Sequence, residues 1–161
     1  MTAHSHDQEV PVSIDIERAL PIEDRVAITE LYGRYSTSFD GGDGAGCVEL
    51  FTKDGTFTMT GREPVAGRAA LTQFFVAAAK RSAGIHHTVS NILVEKVSVD
   101  RARGSAHVLA VRVDGDTVRL AALGRYRDEF VKVGGRWLVH TRCVESAVPD
   151  SLIGAVIVRP D

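Results

Sequence analysis

Between Ile22 and Phe39 the apolar residues Ile28, Leu31, Tyr32, Tyr35 and Phe39 recur three and four apart, the spacing that lines one face of a helix. The run Phe39–Gly44, FDGGDG, ends that helix because its glycines favour a turn. A shorter helix over about 45–51 follows, with Val48 and Phe51 on its buried side. Lys53-Asp54-Gly55 reads as a turn, Thr56 to Thr60 as a strand, and Glu63 to Ala66 as a second short strand. Residues 68–79 read as a helix with Leu71, Phe74 and Phe75 facing the core.

From His86 the pattern changes to four long strand-forming runs, 86–99, 104–113, 117–131 and 136–146. Asp100–Gly104, Asp114-Gly115-Asp116 and Gly134-Gly135 supply the turns between them. Helices first and an antiparallel meander after is an α+β plan, with the first helix laid on one face of the sheet. In the third run Val118, Leu120, Ala122, Gly124 and Tyr126 alternate with Arg119, Arg125 and Arg127, so the sheet has an apolar inside and a charged outside. The outer face is expected to carry Leu123, His86, Ile92 and Val94 as well, a surface for a homodimer or homotrimer. The expected layout is a flexible arm over 1–20, one domain over 21–148, and a tail over 149–161. The apolar run 152–158 of that tail would cover a pocket mouth or a neighbouring subunit.

Composition narrows the function. The 161 residues suffice for one domain with a real core. The net charge of −2, with basic residues scattered, argues against nucleic acid as a partner. No apolar run approaches the ~18 residues of a membrane span, and the polar stretch Met1–Pro11 does not read as a signal peptide. Cys47 and Cys143 have no metal-ligand or redox spacing and read as buried thiols in a reducing cytoplasm.

Candidate chemistry is sparse. Asp40 stands where the first helix ends, as a turn residue or a functional carboxylate, and Asp43 on the same loop reads as the cap of the second helix. His86 and His87 are adjacent on a strand and point to opposite faces, so they do not chelate one metal together; parity alone leaves open which faces inward. Tyr126 falls on the apolar side of its strand. Arg142, on a face with Leu138, His140 and Val144, must be paired if enclosed, in a structural ion pair or at a site. His107 and His140 have no spacing that recommends them. There is no phosphate loop, GxSxG elbow or paired-cysteine metal site.

The stretch RVAITELYGRYSTSFDGGD followed by VELFTKDGTF resembles the opening of SnoaL-like proteins, and GIHHTVSNILVEKVSVD is similar to the histidine-bearing segment of scytalone dehydratase. That superfamily also includes bile acid dehydratases, steroid isomerases, hexachlorocyclohexane dehydrochlorinase and the small subunits of ring-hydroxylating dioxygenases. The resemblance covers residues 20–155 and implies a cone: a curved antiparallel sheet wrapped around N-terminal helices to enclose a pocket, the cystatin-like α+β barrel. It places the catalytic histidine on His87, with Asn91 four residues on, the aspartate on Asp40 and a last-strand arginine on Arg142. The dehydrochlorinase lysine is replaced by Tyr35, where bile acid dehydratases also have a tyrosine. The water-holding tyrosines of scytalone dehydratase map near Phe39 and Met59, which argues against scytalone as substrate.

The reading that follows is a cofactor-independent, metal-free lyase, a dehydratase-like enzyme acting on a small hydrophobic, polyketide- or steroid-like substrate. His87 would abstract a proton and Asp40 would orient it. Tyr35 or Tyr126 would donate a hydrogen bond, and Arg142 would stabilise negative charge. Asn91, Met59, Phe39 and Tyr126 would contact substrate. A polyketide cyclase or ketosteroid-type isomerase with Asp40 as base, and a non-catalytic binding or accessory subunit, remain open.

Overall fold

The structure, a computed structural model, describes residues 19–158. Most of the expected arm thus lies outside the described residues. Leu20, at the end of that arm, is buried in the core. The chain runs α1 (Ile22–Asp40), α2 (Gly44–Glu49), β1 (Phe51–Met59), β2 (Val65–Ala66), α3 (Arg68–Arg81), β3 (Ile85–Lys96), β4 (Arg101–Asp114), β5 (Thr117–Val133), β6 (Arg136–Ser146), a short 3-10 turn (Asp150–Leu152) and β7 (Val156–Val158). The α+β expectation holds. The sheet is curved and unclosed, in the order β2-β1-β6-β5-β4-β3, with β7 added along β5. All pairings but one are antiparallel. β1 runs parallel to β6, because helix α3 and four strands intervene before the chain returns beside it.

The stripe read from the sequence is the side of α1 that packs on the sheet: Ile28, Leu31, Tyr32 and Tyr35 are all buried. Phe51, Phe75 and Phe130 fill the space between helices and sheet. Each such side chain contributes about 1.5–3 kcal/mol by leaving water. Gly104 on β4 permits one close approach, since a Cβ there would lie 2.7 Å from the Tyr32 hydroxyl and from the Phe130 ring.

Four irregularities correct the strand reading. In β5 the register slips between Leu120 and Ala122, so Val118 and Leu120 do not continue the inward row of Ala122, Gly124 and Tyr126. Lys53-Asp54-Gly55 is not a turn. It bulges out of a continuous β1, whose register slips between Phe51 and Thr56. In β3 the register shifts between Ser90 and Leu93, at Asn91, which sits at φ 51°. That extra residue reverses the alternation. Ile92 and Val94 therefore pack on the core and Leu93 faces out, the opposite of the expected outer surface. In β6 a shift at His140 puts Trp137, Val139 and Arg142 on the inner face, so Leu138 and His140 do not share the face of Arg142.

Candidate active site

Asp40 is the last residue of α1, just before Gly41-Gly42 turns the chain away. Asp43 caps α2 by accepting from the Gly46 N–H at 2.8 Å, the role expected of it, and so takes no part in the site. His87 is the third residue of β3. Its Nδ1 lies 2.5 Å from Asp40 Oδ1, and its backbone N–H donates to Asp40 Oδ2 at 2.8 Å. One carboxylate thus fixes both the strand and the ring it carries. An ionised carboxylate only accepts, so the proton between them is on Nδ1 and the lone pair left for chemistry is on Nε2. The Phe39 ring stands edge-on to the imidazole, with centroids 5.3 Å apart. The two side chains keep 11% and 20% of their surface exposed, so the pair is enclosed but not sealed. His86 points outward and is exposed.

Arg142 and Tyr126 form a second centre deeper in the molecule. Arg142 is fully buried and makes a two-pronged pair with Asp128, its cross-strand neighbour on β5, through Nε at 2.9 Å and Nη2 at 2.7 Å. Its guanidinium carbon lies 4.4 Å from the Tyr126 ring, 4.5 Å from Tyr35 and 5.1 Å from Tyr32. Burial opposes its charge, but the Asp128 charge and hydrogen bonds outweigh that and hold it protonated. The Arg142 charge is therefore balanced by Asp128, which takes Nε and Nη2, while Nη1 has no hydrogen-bond partner among the described residues. Burial pushes the Tyr126 phenol up to about 12 and Tyr35 well above its ordinary value. Both are un-ionised donors at neutral pH.

The remaining site residues separate. Met59 lines a cavity of about 620 Å³. Val108, Ala122, Gly124 and Val144 of the inner face line it too, as do Asp150 and Ile153 of the tail. The Asp40–His87 pair is not among the lining residues. His87 belongs to the cross-strand row His87–Ala110–Ala122, whose last member lines the cavity. At ~4.8 Å per strand, the His87 backbone is about 10 Å from Ala122. Tyr126 does not line the cavity either; it is the cross-strand partner of Val144, which does. Asn91 is not brought to the pair. The bulge turns it outward, where it meets His107 at 3.1 Å in a groove on the outer face. Cys143 also lies in that groove and is only half-buried, whereas Cys47 is buried; both are free thiols. Among the described residues no three His, Cys, Asp or Glu side chains gather as metal ligands.

The sequence reading missed Asp128. Its alternation stopped at Tyr126; two steps further along the same face are Asp128 and Phe130, both buried. A carboxylate on an apolar face was the signal for a partner of Arg142.

A family model described as a SnoaL-like domain matches residues 21–143. No curated protein matches the chain. Among solved structures, a Mycobacterium tuberculosis protein of unknown function is 25% identical with a TM-score of 0.74, over 81% of this chain and 80% of that one. A protein of Novosphingobium aromaticivorans, described as NTF2-like with a cystatin-like fold, is 25% identical with a TM-score of 0.72, over 81% and 87%. A proposed scytalone dehydratase of the same organism is 23% identical with a TM-score of 0.69, over 87% and 97%, a likeness of fold alone.

Proposed function

We propose that this chain, which belongs to the SnoaL-like domain family, is a cofactor-independent lyase of dehydratase type acting on a small, largely hydrophobic substrate. The observation that carries the reading is the double hold of Asp40 on His87, at its backbone N–H and at Nδ1. That hold fixes the tautomer in which Nε2 accepts a proton, the arrangement a general base needs. His87 takes a proton from carbon beside an activating group. Asp40 orients the ring and stabilises the imidazolium that forms. Tyr126, un-ionised beside the cavity-lining Val144, donates a hydrogen bond to the departing hydroxyl or the developing enolate. Tyr35 stands behind it in edge-to-face contact, with centroids 6.1 Å apart. Arg142, balanced by Asp128, holds the three tyrosine rings in place. The tail closes the cavity mouth through Asp150 and Ile153, and the outer face serves self-association as a homodimer or homotrimer.

The isomerase or cyclase reading makes Asp40 itself the base. Both Asp40 oxygens are already engaged by His87, which favours the histidine. The test is a panel of β-hydroxy ketones and hydroxylated polycyclic substrates, scored for loss of water against rearrangement, with His87→Gln and Asp40→Asn alongside. Elimination that collapses in both variants supports the lyase. Rearrangement that survives His87→Gln but not Asp40→Asn supports the isomerase. A substrate turned over equally well by both variants removes the pair from the chemistry.

A further inference from the structure

Among the described residues, three buried polar atoms between α1 and the sheet have no hydrogen-bond partner: the Tyr32 hydroxyl, the Ser36 hydroxyl and Arg142 Nη1. Two of them stand on α1, where Tyr32, Ser36 and Asp40 follow one another at intervals of four. They form one row along the helix, with Cβ atoms about 6 Å apart from turn to turn. At one end of the row Tyr32 lies against the Arg142 guanidinium; at the other Asp40 holds His87. A polar seam therefore runs from the buried ion pair to the Asp40–His87 pair, through a part of the core that is otherwise aromatic. Buried hydroxyls without protein partners are uncommon in folded proteins, and ordered water is what usually meets them. Asp40 has room for another donor, because an ionised carboxylate offers about four acceptor positions and His87 fills two.

We propose that Ser36 is a positioning residue for the Asp40–His87 pair, acting through a buried water that its hydroxyl shares with the Asp40 carboxylate. One water making two hydrogen bonds of roughly 2.8 Å joins oxygens about 4–5 Å apart, a reach that suits side chains whose Cβ atoms stand about 6 Å apart. The water donates to Asp40 and accepts from the Ser36 hydroxyl. Asp40 is thereby held from the helix side as His87 holds it from the strand side. The inference rests on the reading of Asp40 and His87 as the catalytic pair. Serine is a poorer helix former than alanine, so the gain in helix propensity in Ser36→Ala offsets part of the hydrogen bond lost with the hydroxyl and the fold should change little in stability. An effect at His87 would then not come from damage to the helix.

The experiment uses the full chain labelled with nitrogen-15 at histidine. Long-range proton–nitrogen spectra report which ring nitrogen of His87 carries the proton, and His87→Gln identifies the signal. The wild type should show the proton on Nδ1. In Ser36→Ala that proton should exchange with water about 5-fold faster, the loss of roughly one ordinary hydrogen bond. The melting temperature should change little. Ser36→Thr, which keeps the hydroxyl, should restore slow exchange, and Thr29→Ala, exposed on the same helix, should change nothing. A wild-type Nδ1 proton whose exchange is the same in Ser36→Ala overturns the role of Ser36 and leaves the catalytic pair standing. So does Ser36→Thr behaving as Ser36→Ala does. A wild-type proton on Nε2 instead removes the reading of the pair itself, and the seam's purpose with it.

Discussion

Two carboxylates in this molecule each hold one nitrogen base, and the contrast between them separates chemistry from architecture. Asp128 and Arg142 face one another across adjacent strands, both side chains fully buried, their charges cancelled by a two-pronged bond. Asp40 and His87 meet where a helix ends against the start of a strand, partly exposed, with one imidazole nitrogen left over. The first pair is sealed in the core, away from solvent. The second, in the role proposed for it, takes up and releases a proton. A buried pair of fixed charges specifies how strands and rings are arranged, whereas a carboxylate–imidazole pair at an opening can change its protonation as it works.

The largest effect expected at either pair is on turnover. His87→Gln should lower kcat about 10²–10⁴-fold, the usual contribution of a positioned general base, with thermal unfolding little changed. Arg142→Met should do the reverse. It leaves Asp128 buried and alone, at a cost of about 3–5 kcal/mol in chemical denaturation. Arg142→Met combined with Asp128→Leu should recover most of that loss. If the double variant were no more stable than the single one, the pair would not be the self-contained unit described.

Smaller effects sharpen the contrast. Asn91→Ala places an ordinary side chain at φ 51° and should cost about 1–2 kcal/mol of stability, while Asn91→Gly should cost less. Neither should alter turnover, because Asn91 faces the outer groove. A fall in kcat with intact stability would return it to the site. The smallest effect concerns Asp24. Hydrogen bonds from Lys132 at 2.7 Å and Trp137 at 2.8 Å tie the start of α1 to the β5–β6 hairpin. They hold the Asp24 carboxyl below its ordinary value of 3.8. A group lowered in the folded state stabilises the protein above its unfolded pKa, and that contribution fades as pH falls through the folded one. Asp24→Asn should therefore flatten the loss of stability below pH 3.8, measured by denaturant midpoint against pH.

Much of this was present in the one-dimensional pattern. The period of α1 named Ile28, Leu31, Tyr32 and Tyr35 as buried, and they are. The turn at Phe39–Gly44 placed Asp40 at a helix end. Family resemblance, not spacing, singled out His87 from His86, because strand parity states that two neighbours diverge but not which one turns inward. Parity also failed wherever a bulge intervened. One residue at Asn91 exchanged Leu93 for Ile92 and Val94 on the core side, and one at His140 set Arg142 apart from Leu138.

Periodicity and turn chemistry are local, and they determined the elements, their order and the face each helix buries. The tertiary structure alone decided which strand residues share a face beyond each bulge. It also decided that Asp128 neutralises Arg142 and that Asp40 reaches His87 across 47 residues of chain. Those outcomes depend on strand register and on the docking of α1 against β3, and both are settled by contacts between segments far apart in sequence.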